Sequence, residues 1–245
     1  ILIKDIPDEF ELSDKQRMQV DGVKNNTSYV DRIRLNQFLD DLCGPLHFLD
    51  FETMGPGVPL FDRTRPYQQI PFQYSLHLQD GDEIKHFEFL AETDGADPRI
   101  SFIKQFILDC GSEGDILVYN ISFEQNIIEE LIQAFPDYLV PLKGIIKRLK
   151  DLMTPFQKGW YYTPKMKGSH SIKQVLPALV PGLSHQELEI SEGGTASSTF
   201  AAMANGSFHG DFKQNRQDLL HYCKMDTYAM VEILRVLRNG FKEYS

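Results

Sequence analysis

Leu46-His47-Phe48-Leu49-Asp50-Phe51-Glu52-Thr53-Met54-Gly55 is an apolar run that carries two acidic residues. Its bulky apolar side chains predict a buried central strand. Because side chains alternate between the faces of a strand, Asp50 and Glu52 point the same way. Two carboxylates on one buried face require a cation, and oxygen ligands without cysteine suit Mg²⁺ or Mn²⁺. An edge strand with a solvated outer face is the alternative interpretation.

Composition indicates a globular protein. With 245 residues, 42% of them hydrophobic, the chain can bury the core of one large domain, with or without an extension. The three cysteines, Cys43, Cys110 and Cys223, are few and widely spaced, which argues against a disulfide framework and a structural zinc site. No apolar run approaches the roughly 20 residues of a transmembrane helix, and the first residues lack the basic and apolar regions typical of a signal peptide, so we expect a cytoplasmic protein that has no membrane partner.

The charge distribution is uneven. The chain has a formal net charge of −10, yet residues 141–173 contain eight Lys or Arg and one Asp, which gives 8 − 1 = +7 and leaves −17 for the rest. The same segment contains Phe156, Trp160, Tyr161 and Tyr162. Cations interleaved with aromatic rings are typical of proteins that bind single-stranded nucleic acid. The alternative is that the aromatic residues belong to the core and the lysines to a solvated face.

Hydrophobic periodicity predicts an α/β fold with an N-terminal extension. We expect residues 1–44 to form a polar extension that includes a helix, and residues 45–245 to form the main domain. Since the sequence opens at Ile1, we also expect the extension to join a region further upstream. The remaining elements are predicted as a hairpin at 72–78 and 84–90, helices at 98–110, 122–135, 172–179 and 196–203, a helix or helix pair at 139–152, a strand at 115–119, a turn at 191–195 and a long helix at 211–239.

A third acidic residue, Glu124, lies in the first turn of the helix predicted at 122–135. Ser122 and Gln125 have the spacing of a capping box. Extending the apolar stripe of this helix backwards by one turn reaches Glu124, which therefore lies at the buried edge of the helix. An acid that interacts favourably with the helix dipole is the simpler interpretation of this residue.

A fourth acidic residue, Asp226, interrupts the apolar stripe of the long C-terminal helix. An aspartate in such a stripe needs a partner, and a buried Lys or Arg is one alternative. Tyr222 precedes Asp226 by four residues and so shares its face. His221 precedes it by five residues, which turns its side chain away on an unbroken helix.

Taken together, these motifs resemble the DEDD superfamily of 3′–5′ exonucleases. Residues 50–55 are similar to its first motif, D-x-E-T-x-G, and Asn120 to Glu124 to its second, where the family usually has Asp in place of Glu124. Tyr222 and Asp226 are similar to the third motif of the tyrosine subgroup. The chain as a whole resembles an uncharacterised bacterial family grouped with RNase H-like nucleases. The resemblance implies an RNase H-like mixed five-stranded sheet, with central parallel strands and an antiparallel hairpin, flanked by helices.

The resemblance also implies roles for these residues in hydrolysis assisted by two divalent cations, Mg²⁺ or Mn²⁺. Asp50 would bridge both ions, Glu52 and Asp226 would complete one site, and Glu124 would hold the second ion through a water. Tyr222 would orient or deprotonate the nucleophile, with His221 as the alternative base. We expect the substrate to be contacted by Thr53, Met54, Asn120, Trp160, His170 and Lys173.

We therefore predict a metal-dependent 3′–5′ exonuclease that acts on single-stranded DNA or RNA. One alternative is a non-catalytic RNase H-like module that binds nucleic acid or a protein partner within a larger polypeptide. Another is a phosphodiesterase that acts on very short oligonucleotides or another small phosphodiester, which needs a closed pocket.

Overall fold

The computed structural model describes residues 2–183 and 193–240. In this part of the chain, no helix has the combination of length and apolar character that crossing a membrane requires. The helices are α1 (Asp14–Asn25), α2 (Arg32–Asp40), α3 (Arg99–Cys110), α4 (Ile121–Ala134), α5 (Leu139–Ile146), α6 (Thr154–Gln157), α7 (Ile172–Leu179), α8 (Gly193–Ala204) and α9 (Phe212–Asn239). The strands are β1 (Tyr29–Val30), β2 (Leu46–Met54), β3 (Ile70–Asp80), β4 (Glu83–Leu90), β5 (Ile116–Val118), β6 (Leu149–Asp151) and β7 (Tyr161–Tyr162).

The described residues form two compact units. The smaller unit contains residues 2–42, 152–183 and 232–240, and the larger contains residues 43–151 and 193–231. The smaller unit thus groups the N-terminal residues with two segments from within the predicted 45–245 domain.

A five-stranded mixed sheet forms the centre of the larger unit, in the order β4-β3-β2-β5-β6. Strand β2 is central, antiparallel to β3 and parallel to β5, and β6 continues the parallel half. Strands β3 and β4 form the predicted antiparallel hairpin. The predicted mixed five-stranded sheet flanked by helices is therefore confirmed, and so is the central position of the acidic strand.

Alternation along β2 sends neighbouring side chains into different parts of the larger unit. Leu49 and Phe51 belong to an apolar cluster that contains residues of α3 and α4. At the end of the strand, Met54 belongs to a second cluster, which contains residues of α8 and α9. In this second cluster the rings of Phe72 and Phe200 stack with their centroids 4.0 Å apart, which fixes α8 against β3. Asp50 and Glu52, which lie between the apolar residues of β2, are thereby held on a well-packed strand.

The smaller unit pairs β1 with β7 in a short antiparallel ladder. Tyr162 of β7 and Phe156 of α6 are buried. Trp160 is half-buried, and its ring lies 6.5 Å from that of Phe38. Two of the four aromatic residues in the basic segment therefore belong to the interior of this unit.

Two of the predicted elements were wrong in part. Where a helix or helix pair was predicted at 139–152, α5 ends at Ile146 and Leu149–Asp151 forms the edge strand β6. The helix predicted at 196–203 begins at Gly193, so that residues 193–195 of the predicted turn are helical. The other two residues of that turn, 191 and 192, lie outside the described part of the chain.

Candidate metal centre

Three of the four predicted acidic residues meet in the larger unit. Asp50 and Glu52 come from β2, and Asp226 comes from α9. Each offers a carboxylate oxygen, and these oxygens all lie within 4.8 Å of one another. Glu52 and Asp226 are buried, and Asp50 is half-buried. Clustered carboxylates with little access to water repel one another unless a cation lies between them.

The electrostatics of Asp50 follow from this arrangement. Burial raises the pKa of Asp50 well above its usual range, and the neighbouring carboxylate of Asp226 raises it further. The thiol of Cys223 donates a hydrogen bond to Asp50 Oδ2 at 3.7 Å, and this bond lowers the pKa of Asp50. The raised pKa shows that a second negative charge at this position is unfavourable without a cation. Sequence analysis had assigned Cys223 only to the apolar stripe.

Tyr222 lies beside the carboxylates on α9. Its side chain is 4% exposed, and its hydroxyl donates a hydrogen bond to Asp226. Burial raises the pKa of Tyr222 far above the usual value near 10, and Asp226, Glu52 and Asp50 raise it further. The hydroxyl is therefore a hydrogen-bond donor in this arrangement. His221, by contrast, is exposed.

Glu124 is buried in the first turn of α4 and lies outside the group of three carboxylates. Its side chain is 1% exposed, and its Oε2 atom has no hydrogen-bond partner among the described residues. Burial raises the pKa of Glu124 well above its usual range, and the charge of Asp50 adds to this effect. A buried carboxylate oxygen without a donor is unfavourable, so Glu124 is suited to gain a partner.

The start of α4 is capped by a residue that the sequence did not indicate. The backbone amides of Asn120 and Ile121 donate to the carboxylate of Asp151 on β6, at 3.2 and 3.3 Å. Asn120 is the N-cap residue and has a left-handed backbone, with φ at 88°. The capping box predicted for Ser122 was wrong, because Ser122 lies inside the helix. Asp151 thus fixes the helix that carries Glu124.

Gly193, the first residue of α8, approaches the centre closely. A Cβ atom at this position would lie 3.6 Å from Glu52 Oε2 and 4.0 Å from the hydroxyl oxygen of Tyr222. The neighbouring Gly194 has open space around the corresponding position. Gly193 is therefore a site residue that sequence analysis missed, since a glycine in a run of small residues carries no chemical signal.

The predicted substrate-binding residues at the end of β2 are both buried. Thr53 donates a hydrogen bond from its hydroxyl to Gln69 Oε1 at 2.6 Å. Gln69 belongs to the loop of residues 55–69, so that Thr53 ties this loop to the acidic strand. The Met54 side chain is fully buried in the second apolar cluster, which leaves its backbone for any contact with a nucleotide.

Of the other predicted substrate-binding residues, Asn120 lies at the start of α4 in the larger unit, and the remaining three belong to the smaller unit. Trp160 and His170 are half-buried there, and Lys173 is exposed at the start of α7. Arg148 also belongs to the basic segment but lies in the larger unit. It donates hydrogen bonds to the carbonyl oxygens of Gly111 and Gly114, in the loop of residues 111–115 that precedes β5. One charge of the +7 segment therefore has a structural role.

Comparison with known protein families identifies the family to which the chain belongs. The model of the family described as Domain of unknown function (DUF2779) matches residues 47–171, about half of the sequence. The chain belongs to the DUF2779 family. The matched range contains three of the four acidic residues, Asp50, Glu52 and Glu124, whereas Tyr222 and Asp226 lie beyond it.

Relatives of this DUF2779 protein occur in mycoplasmas. The chain is 28% identical over 205 residues to the uncharacterized protein MG366 homolog of Mycoplasma pneumoniae, covering 76% of this chain and 31% of that protein. It is also 28% identical over 237 residues to the uncharacterized protein UU173 of Ureaplasma parvum serovar 3, covering 86% and 33%. The chain therefore spans about a third of the length of these relatives. No solved structure matches it significantly.

Proposed function

We propose that this DUF2779 protein is a metal-dependent 3′–5′ exonuclease of single-stranded nucleic acid, with an RNase H-like fold and a DEDD-type site. The observation that carries the proposal is the convergence of Asp50, Glu52 and Asp226 within 4.8 Å. These residues come from the two motifs whose order and spacing resemble the first and third DEDD motifs. The mixed sheet with its antiparallel hairpin agrees with the proposed fold.

The carboxylate centre fits a divalent cation. Asp50, Glu52 and Asp226 supply only oxygen ligands, which hard cations such as Mg²⁺ and Mn²⁺ prefer. Burial and Asp226 raise the pKa of Asp50, so its charged form needs a balancing cation, and Glu124 Oε2 has no hydrogen-bond partner among the described residues. When bound here, such cations activate water and stabilise the charge that develops on a phosphodiester. The four acidic side chains would hold them.

Tyr222 acts as a positioning residue in this proposal. Its hydroxyl is protonated and donates to Asp226, so it fixes the orientation of that carboxylate. The same hydroxyl lies beside Gly193 and Glu52, where it can orient a water molecule or a phosphate oxygen by hydrogen bonding. The helix geometry that places Tyr222 here turns His221 outward, which favours Tyr222 over His221 as the functional residue.

Glu124 takes the position that is usually Asp in the second motif. The extra methylene group moves the carboxylate by roughly one C–C bond, about 1.5 Å. This length agrees with Glu124 lying outside the group of three while its charge still interacts with that of Asp50. We infer that Glu124 contributes to a second, weaker cation site.

Nuclease activity is tested with a 5′-labelled single strand, offered as DNA and as RNA, in Mn²⁺, Mg²⁺ or EDTA. We expect a ladder of shortened products with either metal and an intact strand in EDTA. Asp226→Asn should reduce the rate by more than about 100-fold, since removing a direct ligand costs more than altering its outer partners. Asp218→Asn is the matched control, because Asp218 lies on the same helix and pairs with Gln214 instead.

A non-catalytic module that binds nucleic acid is the second candidate. The observation that favours it is the position of Glu124 outside the carboxylate group, because a centre with one cation can bind a phosphate without hydrolysing it. Salt-sensitive binding of an intact strand in Mn²⁺ would support this alternative. Trp160, His170 and Lys173 stay predicted contacts, and their replacement by Ala should weaken such binding.

A further inference from the structure

Strand β3 places polar side chains next to the carboxylates of β2. In the antiparallel pairing of the two strands, Asp50 lies opposite Ser75. Glu52 lies opposite Gln73 in the same register. Residues that are directly opposite on neighbouring strands have side chains on the same face of the sheet, about 5 Å apart at Cβ. The side chains of Ser75 and Gln73 are therefore close neighbours of the two carboxylates.

Helix α9 is hydrogen-bonded to this face of β3 at two points. The side-chain amide of Gln73 donates from Nε2 to the carbonyl oxygen of Leu219 at 2.7 Å. About two helical turns further on, the hydroxyl oxygen of Thr227 lies 2.7 Å from that of Ser75 and 2.8 Å from Nδ1 of His77. These two attachments fix both the rotation of α9 and its position along the sheet.

Ser75 and Thr227 are buried, at 1% and 0% exposure, and the hydrogen bonds of their hydroxyl groups have defined directions. Thr227 donates its one proton to the carbonyl oxygen of Lys224 at 3.1 Å. Its hydroxyl oxygen therefore accepts from Ser75 and from Nδ1 of His77. Ser75 in turn accepts from Nε2 of His86 at 2.9 Å. A buried network in which every hydroxyl group is satisfied holds its members rigidly.

The hydrogen bond between Ser75 and Thr227 links the two halves of the carboxylate centre. Ser75 is the cross-strand neighbour of Asp50, and Thr227 follows Asp226 directly on α9. The carboxylates of Asp50 and Asp226 come from different elements, so the distance between their oxygens depends on how α9 is held against the sheet. Mg²⁺ requires nearly ideal octahedral geometry, with oxygen ligands at about 2.0–2.1 Å. A small displacement of α9 would therefore weaken the binding of a shared cation.

We propose that Ser75 and Thr227 are positioning residues of the carboxylate centre, whose shared hydrogen bond sets the spacing of Asp50 and Asp226 and thereby the affinity for a divalent cation. This role rests on the proposed metal-dependent function. Neither hydroxyl group is a ligand of the cation, because both are engaged in the buried network. They act on the cation only through the carboxylates that they position.

The test is calorimetric titration of Mn²⁺ into the full chain and its variants. Thr227→Val keeps the size and shape of the side chain but removes the hydroxyl group, whereas Thr227→Ser keeps the hydroxyl group. Ser75→Ala removes the other partner of the bond and is informative even if Thr227→Val fails to fold. The control is Thr163→Val, which changes a buried threonine of the smaller unit.

We expect Thr227→Val and Ser75→Ala each to raise the Kd for Mn²⁺ by about 10- to 100-fold, which is typical of residues that hold metal ligands in place, while Thr227→Ser and Thr163→Val leave it within about twofold. Adding Ser75→Ala to Thr227→Val should raise the Kd no further, because both changes remove the same hydrogen bond. Unaltered affinity in both Thr227→Val and Ser75→Ala would overturn the proposal. So would an equal loss of affinity in Thr227→Ser and Thr227→Val, which would show a packing role.

The labelled-strand assay separates this proposal from the nuclease proposal. Mn²⁺ binding that depends on Ser75 and Thr227, in a protein that leaves the strand intact, would support the positioning role and contradict the exonuclease. Strand shortening in Mn²⁺ by a protein whose Kd for Mn²⁺ does not depend on either hydroxyl group would do the reverse. No Mn²⁺ binding by the unaltered protein would contradict both proposals.

Discussion

Glu52 on the central strand β2 and Asp226 on the last helix α9 place carboxylate oxygens within 4.8 Å of each other. The two residues are far apart in the chain, and both are buried. Buried carboxylates at this distance are costly to bring together unless a cation compensates their charge. The energetic cost of this pair is the physical argument for the cation that we propose at this position.

Replacing Glu124 with Gln should change stability and metal binding in opposite directions. In EDTA we expect the variant to be more stable, because burial and Asp50 disfavour the charged form of Glu124. We expect the same variant to bind Mn²⁺ more weakly, with a Kd at the second cation site that is at least tenfold higher. Urea unfolding and calorimetric titration measure the two effects, and unaltered Mn²⁺ binding would remove Glu124 from the metal centre.

Tyr222→Phe should lower nuclease turnover by about 10- to 100-fold, whereas His221→Ala should leave it within twofold. The reason is that the Tyr222 hydroxyl orients Asp226, while His221 is exposed. Both variants are to be compared on the same labelled strand at saturating Mn²⁺. If only the His221 change abolished turnover, the assignment to the tyrosine subgroup would be wrong.

Gly193→Val should reduce nuclease activity at least tenfold, and Gly194→Val should not. A branched side chain at Gly193 extends beyond the Cβ position that already lies 3.6 Å from Glu52 Oε2, whereas Gly194 has open space. The two variants have the same composition and affect the same helix end, so their thermal unfolding should be similar. Equal activity of both variants would show that the approach of α8 to the carboxylates has no functional effect.

A buried polar cluster on the sheet predicts sensitivity to acid. Burial, the neighbouring His86 and Lys224 together lower the pKa of His77 to about 4, and burial and Lys224 together lower the pKa of His86 to about 4. Between pH 6.5 and pH 4 the unfolded chain therefore takes up protons that the folded protein does not, so stability falls as the pH falls. Because solvent screens both rings in part, we expect a loss on the order of 1 kcal/mol from pH 7 to pH 5.

His86→Gln isolates this effect, because glutamine can still hydrogen-bond to Ser75, the partner of His86 in the folded protein. Urea unfolding at pH 7 and pH 5 should show a smaller loss of stability in the variant than in the unaltered protein. An identical loss in both proteins would mean that His86 titrates normally when folded.

Local pattern predicted much of the fold because several elements carry strong periodicity. The alternating residues of β3 and β4 and the apolar stripe of α9 gave elements that the structure confirms. The acidic strand β2 was predicted as central because its apolar neighbours required burial on both faces. The position of Asp50 and Glu52 on one face followed from the same alternation.

Features that depend on distant partners could not be predicted in this way. Strand β6 is only three residues long and follows a helix directly, so its pairing with β5 decides its structure. The cap of α4 comes from Asp151 on that strand, which a local capping box cannot anticipate. Gly193 likewise gains its importance only from the residues that surround it in the folded chain.

The most direct test is a crystal structure of the protein soaked in Mn²⁺, measured for the anomalous signal of manganese. We predict an anomalous peak coordinated by Asp50, Glu52 and Asp226, and its loss in Asp226→Asn. Carboxylates that are instead paired with lysine or arginine side chains, or that lie too far apart to share one ion, would contradict the account.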